Sequence, residues 1–214
     1  MLDENQAAPG VAGNWDGAML VPVAEINGFM LEILCATAAV PGETSPRLVT
    51  AMRELWCGLD AGAQQRLAQC PYLLLDAGFA CRERWERLAL ERGVMDGGGS
   101  RSYFASPQGV ALVRRTLVFA WHLARSNRLT ARVVLGLSAE CAERIAASTL
   151  RDLEALAELA PAWVAPRWEQ QPVIWRQMIQ AALDGQEVPL RQVQLRGLQL
   201  LAAGSERRGG GAVP

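Results

Sequence analysis

LVFAWHLARSNRLTARVVLGLSAECAERIAASTLRDLEALAELAPAWVAPRWEQQPVIWRQMIQAAL, residues Leu117–Leu183, is the stretch whose reading decides the fold. An apolar helix pattern runs through it and is punctuated twice. Gly136 and Ser138 make the first break, with the Ser138 hydroxyl placed to accept from the amides of a new helix. Thr149 with Asp152 makes the second, an N-cap of capping-box type. The punctuation predicts short helices over Leu129–Leu135, Ala139–Ala147 and Leu150–Leu159, joined by tight turns, with another helix over Gln171–Leu183. A unit of this kind either reads DNA or packs helices, and periodicity alone does not separate the two.

Upstream the same signals continue. Val110 to about Ser126, entered through Ser106-Pro107, is a strong helix whose apolar residues Leu112, Val113, Leu117, Phe119, Trp121 and Leu123 spread round most of its circumference, as in a buried or interface helix. Asp96-Gly97-Gly98-Gly99-Ser100 precedes it. Three consecutive glycines favour an exposed connection, so residues 96–105 are expected to be a linker between an N-terminal helical region, 21–95, and a C-terminal helical domain, 106–203. In the N-terminal region a first helix is predicted from Pro22 to Ala39, with Ile26, Phe29, Met30, Ile33 and Leu34 on one face. A second opens at Ser45-Pro46 and carries Leu48, Met52, Leu55 and Trp56. A third, Ala61–Gln69, stops before Pro71. Tyr72–Leu75 reads as a buried turn of helix rather than a strand. Ala80–Arg92 reads as a charged helix burying Trp85, Leu88 and Leu90. A last amphipathic helix covers Arg191–Ala203. Residues 1–20 are expected to be a flexible arm and 204–214 a disordered tail. No convincing strand, internal repeat or heptad run stands out, and the expected fold class is all-α: a multi-helix bundle with a helix-turn-helix-like unit near its C-terminus.

Composition limits the function. The chain has 214 residues, half of them apolar, and a formal net charge of −1, so the molecule as a whole has no attraction for polyphosphate. Every cation is arginine. Five cysteines, Cys35, Cys57, Cys70, Cys81 and Cys141, form no CxxC pair, and with His122 as the only histidine neither a metal site nor a cofactor is expected. The odd cysteine count, the acidic Gly-rich opening, and the absence of an apolar run of spanning length lead to the expectation of a cytoplasmic protein with reduced thiols and no membrane contact.

Catalytic readings find no support. His122 lies among apolar neighbours in mid-helix and is expected to be a hydrogen-bonded core or interface residue, not a base. The carboxylate pairs Glu83/Glu86 and Glu140/Glu143 have helical spacing and nearby arginines, which reads as solvated helix faces. Gly97-Gly98-Gly99 lacks the strand-to-helix context of a phosphate cradle. An enzyme is therefore not expected. The seven tryptophans are many for this length, and Trp121, Trp163, Trp168 and Trp175 in the second half are candidate core or interface anchors. Arg125, Arg128, Arg132, Arg144 and Arg151 cluster around the punctuated unit, interleaved with Glu140, Glu143, Asp152 and Glu154. Arg128, Arg132, Arg144 and Arg151 are candidate phosphate contacts; mutual pairing on a solvated surface is the alternative.

The order LARSNRLTARVVLGLSAECAERIAASTLRDLEALAE, then WVAPRW, then a helix near Gln171, resembles the flagellar transcriptional regulator FlhD family. There a long helix with an LxLAQxL-type stretch leads to a segment ending in LGI, a polar N-cap, an alanine-rich helix, a TL start and LAE. The matching positions are Leu123, Ala124, Arg125, Leu135, Gly136, Leu137, Ser138, Ala142, Thr149, Leu150, Leu156, Ala157 and Glu158, followed with an offset of one residue by Val164, Arg167 and Trp168. The resemblance covers about residues 115–183; residues 1–100 match nothing in it. It implies an all-helical transcription regulator that forms a homodimer or higher homo-oligomer and meets promoter DNA through a complex with an FlhC-like companion. In that family the companion carries a four-cysteine zinc site and much of the DNA contact, and this chain has no such cysteine cluster. The alternative from another class is a non-DNA helical adaptor, chaperone or scaffold, supported by near-zero charge and abundant tryptophan.

Overall fold

Eleven α-helices, one 3-10 turn and a two-residue strand pair make up the fold of a computed structural model that describes residues 17–40, 42, 45–90 and 102–209. Most of the expected arm, the Gly-rich segment 96–101 and residues 210–214 lie outside the described residues. Helix α1 spans Gly17–Ala39, and Arg47–Ala51 (α2) and Arg53–Gly58 (α3) form the expected second helix, interrupted at Met52. Ala61–Ala68 (α4) is capped by the Asp60 carboxylate, which accepts from Ala63 N at 2.7 Å, and Arg82–Leu90 is α5. Pro107–Ser126 (α6) starts from Ser106, whose hydroxyl accepts from Gly109 N. Arg128–Leu135 (α7), Ala139–Ala147 (α8) and Leu150–Leu159 (α9) are the three short helices predicted from punctuation. The chain continues through a 3-10 turn, Pro161–Trp163, to Pro172–Leu183 (α10) and Glu187–Gly209 (α11).

The breaks work through the predicted atoms. Gly136 closes α7 at φ +63°, a left-handed position that glycine adopts without Cβ strain. Ser138 then accepts from Cys141 N, and Thr149 exchanges bonds with Asp152: its hydroxyl accepts from Asp152 N while its own amide donates to the carboxylate, both at 3.2 Å.

Four expectations are corrected. Helix α1 begins at Gly17, ahead of the expected start, so Pro22 sits inside it and removes one backbone donor from its second turn. Leu20–Ala39 is long and apolar enough to cross a membrane by length and composition, contrary to the expectation that no run reaches that length. Here its apolar face, Val23, Ile26, Met30, Leu31 and Leu34, is buried in the protein core. The third concerns Tyr72–Leu75, which is non-helical, bending at Tyr72 and Leu74 before it enters a strand: Leu75–Asp76 (β1) pairs antiparallel with Ala165–Pro166 (β2), with Leu75 opposite Pro166 and Asp76 opposite Ala165. Four residues buried all round offer no helix face to sort, and their backbone is satisfied by other elements. Leu73 N donates to Val134 O, and Leu74 N to the side-chain oxygen of Asn27. Helix α11 also runs on to Gly209, into the stretch expected as tail.

One hydrophobic core joins residues from both sides of the 91–101 segment. Helix α1 packs on α3, α4 and α6; α6 packs on α7, α8 and α9. Helix α5 lies on α8, while α10 lies on α3 and α4 and carries α11 on its other side. Trp56 of α3 meets Trp175 of α10 with ring centres 5.4 Å apart, and Trp85 of α5 meets Trp163 edge to face at 5.7 Å.

Candidate functional site

The region that the sequence singles out is the α7–α9 unit and the segment after it. Its outer surface carries the arginines, and its inner side is anchored by a buried one. Arg167 follows β2 and is 6 % exposed. Its Nε donates to Leu73 O and its Nη2 to Leu135 O, both at 2.5 Å, and Nη1 lies 4.0 Å from an Asp76 carboxylate oxygen. The guanidinium sits 5.7 Å from the Phe79 ring centre. Burial holds the Arg167 pKa below its ordinary value, opposed by Asp76. The arginine thus joins the non-helical segment before β1, the C-terminus of α7 and the segment after β2. A cation against the last carbonyl of α7 also complements the helix dipole. The Arg167 carbonyl in turn accepts from the Trp175 indole, which fixes the entry of α10.

On the first half of the chain, Asn27 plays a similar part. It is fully buried in α1 and donates to Ala68 O and Tyr72 O while accepting from Leu74 N. Tyr72 beside it packs edge-on against Trp168 at 5.8 Å, and a Cβ on Gly197 of α11 would overlap the Tyr72 hydroxyl. Trp168 holds a left-handed backbone at φ +50°, a costly conformation for a bulky residue, stabilised by this packing.

The surface arginines are largely committed to partners. Arg144 binds Glu86 at 2.9 Å, Arg82 binds the same Glu86 at 2.7 Å, and Arg82 also lies 3.6 Å from Glu140, so α5 and α8 share a charge network. The hydrogen bond from Arg82, with help from Arg144, holds the Glu86 carboxyl below its ordinary range. Arg128 pairs with Glu143 at 3.7 Å, and Arg125 stacks over the Trp121 ring at 4.7 Å. Arg132 and Arg151 are exposed and show no acidic partner among the described residues. The four candidate phosphate contacts therefore divide into two paired and two unpaired side chains. Moreover, the outward positions of α8 include Glu140 and Glu143, and those of α9 include Glu154 and Glu158. Helix α7 is the basic one, exposing Arg128 and Arg132 beside Leu129 and Val133.

The tryptophan candidates also divide. Trp163 and Trp175 are core residues, whereas Trp121 and Trp168 are half-buried; the Trp121 indole donates to Ser148 O at 2.8 Å and ties α6 to the α8–α9 turn. His122, expected in a core or an interface, is exposed, because it lies opposite the buried stripe of Leu112, Thr116, Ala120 and Leu123. Arg167 and Asn27 were not singled out as site residues by the sequence reading. A signal for Asn27 exists, a polar residue in mid-helix within an apolar face; for Arg167 it is an arginine framed by Pro166 and Trp168.

The chain is an all-α multi-helix protein. Compared with protein-family models, with curated proteins and with solved structures, it matches none.

Proposed function

We propose that the chain is a cytoplasmic regulatory subunit of the FlhD kind, which serves transcription through contacts with a companion protein and contributes little of its own to DNA. The observation that supports the regulator reading is the α7–α9 unit. The residues that carry the family resemblance have definite structural jobs here: Gly136 ends a helix, Ser138 and Thr149 start two, Leu156 and Ala157 are buried, and Arg167 locks the unit to the rest of the fold.

Electrostatics supports the indirect role. Of the arginines on this face, Arg128 and Arg144 are neutralised by Glu143 and Glu86, and the helices that follow α7 expose carboxylates. Each phosphate neutralised contributes about 0.9 to the slope of log affinity against log salt. With Arg132 and Arg151 as the unpaired cations of this face, contacts made through it by the chain alone should show a slope of about 2 or less, far from the roughly 5–9 of a protein that makes 6–10 phosphate contacts. A mobility-shift titration across salt, with the purified chain and with the chain co-purified with its bound proteins, tests this. A steep salt slope for the chain alone removes the indirect reading.

The outer faces of α8 and α9, where Glu140, Glu143 and Glu158 pair with Arg82, Arg128 and Arg114 and leave little basic surface, favour a second reading, an adaptor or scaffold without any DNA role. Affinity capture with and without nuclease separates the two. A protein companion that survives nuclease and brings no enriched promoter fragment supports the adaptor; promoter enrichment through that companion supports the regulator.

A further inference from the structure

The two halves of the chain repeat one another. Although the sequence shows no convincing repeat, the order long helix, short helix, capped helix, strand, Trp-bearing helix occurs twice: α1, α3, α4, β1, α5 and then α6, α7, α8, β2, α10. Of the eight buried positions of α1 among the described residues, seven, 23, 26, 27, 30, 31, 34 and 38, recur at a constant spacing of 86 residues as the buried positions 109, 112, 113, 116, 117, 120 and 124 of α6; Ile33 is the exception, corresponding to half-buried Phe119. Helical periodicity alone gives some such match, so independent features decide. Gly58-Leu59-Asp60-Ala61 leads into α4 and Gly136-Leu137-Ser138-Ala139 into α8, with Asp60 and Ser138 as the two N-caps and the alanines as first helical residues. Arg66-Leu67-Ala68 and Arg144-Ile145-Ala146 then follow at the same spacing of 78. Beyond the strands the spacing is 90. Gly78 at φ +71° corresponds to Trp168 at φ +50°, and Trp85, fourth residue of α5, to Trp175, fourth residue of α10. Both indoles donate back to a carbonyl just after their strand, Trp85 to Gly78 O at 3.0 Å and Trp175 to Arg167 O at 2.5 Å. The spacing changes where the connections differ: the second half reaches α7 through Asn127 alone, and it inserts α9 before its strand.

The halves meet as the two members of a twofold dimer do. Residues 75 and 76 correspond to 165 and 166, and the ladder pairs 75 with 166 and 76 with 165, the reciprocal pattern a twofold requires. The Trp-bearing helices are exchanged. Helix α5 packs on α8 of the other half and α10 packs on α4 of the other half. Even the corresponding arginines reach across: Arg66 of α4 donates to Ala182 O of α10, and Arg144 of α8 to Glu86 of α5.

We propose that this chain is a tandem duplication that builds a helix-exchanged twofold dimer within one polypeptide, so that a single chain closes its own core and no second copy is needed to finish it. The dimerisation expected from the family resemblance is then internal. The halves are unequal outside. At the spacing that relates α4 to α8, Arg128 and Arg132 correspond to Thr50 and Glu54, and α9 has no counterpart. The basic α7 face therefore occurs once per molecule, where a homodimer would carry it twice.

Two measurements on the full chain test the proposal. Native mass spectrometry and light scattering should give the mass of one chain, 23.2 kDa, and a melting temperature that does not change with protein concentration. Hydrogen exchange should show that Trp175→Ala deprotects α3 and α4 in the opposite half, and that Trp85→Ala deprotects α8. Where the alanine variant does not fold, Trp175→Phe, which keeps an aromatic ring but loses the bond to Arg167 O, gives the same readout. A particle of two chains that does not dissociate on dilution overturns the proposal. So does loss of protection confined to the half that carries the substitution.

Discussion

Replacing Arg167 by leucine removes the side chain on which three segments converge. The substitution keeps much of the apolar stem but deletes the donors to Leu73 O and Leu135 O, leaving two carbonyls in the core short of a partner. An acceptor stranded in this way costs about 1–3 kcal/mol. The sum is roughly 2–6 kcal/mol, reduced because leucine also removes a charge that was costly to bury. Asp76 contributes little to the difference, since its side chain is 46 % exposed and 4.0 Å from the guanidinium. A net loss of about 3 kcal/mol, read with a urea slope of about 2 kcal/mol per molar, lowers the denaturation midpoint by ~1.5 M. Arg167→Lys retains the charge but not the fork, satisfies one carbonyl at most, and should fall between the two. Equilibrium urea unfolding followed by tryptophan fluorescence is the assay. A midpoint for Arg167→Leu equal to or above that of the parent protein would refute the idea that this arginine holds the fold together.

Other outcomes follow from the same geometry. Gly197→Ala should loosen α11 from Tyr72 and Trp168, seen as faster hydrogen exchange along 187–203 at little cost to the protection of α6, because the new methyl overlaps the Tyr72 hydroxyl. Thr149→Ala, which removes the hydroxyl that accepts from Asp152 N but keeps the Thr149 amide that donates to the Asp152 carboxylate, should cost about 1 kcal/mol in chemical denaturation. Cys57 is exposed, whereas burial pushes the Cys35 thiol up to about 11 and the Cys70 thiol up to about 12; a thiol reagent on the native protein should modify Cys57 first and Cys70 only on unfolding. The same raised Cys70 value makes the folded state keep a proton that the unfolded state releases from an ordinary value of 9.0. Stability should therefore be whole below pH 9 and decline as pH rises toward 12, checked by denaturation at stepped alkaline pH.

Local signals were legible wherever the physics is local. Ser138, Thr149 and Asp152 satisfy amides within three residues of themselves, so the helix starts at Ala139 and Leu150 follow from neighbours in sequence. The apolar stripe of α6 and the all-α class follow from periodicity in the same way. What the sequence did not disclose depends on distant partners. Leu73 and Leu74 stay out of a helix because Val134, Asn27 and Arg167 take up their backbone groups, and none of those lies nearby in the chain. The candidate phosphate contacts show the same limit. Arg144 looks available beside Glu140 and Glu143, yet its partner is Glu86, fifty-eight residues away on a helix from the other half. The duplication escaped for a related reason: unequal connections shift its register twice, and what the halves share is mostly burial, turn geometry and a tethered indole rather than residue identity.

The crossed arrangement of α5 and α10 bears on synthesis as well as on architecture. When α4 leaves the ribosome, the surface meant for α10 has no cover, and more than a hundred further residues must be translated before Ala182 reaches Arg66. During that interval Trp56 and its apolar neighbours are open to solvent and to neighbouring nascent chains. Circular permutants that bring α10 ahead of α1 would shorten this vulnerable period, and their yield in the cell compared with the natural order would measure how much the crossing costs the organism.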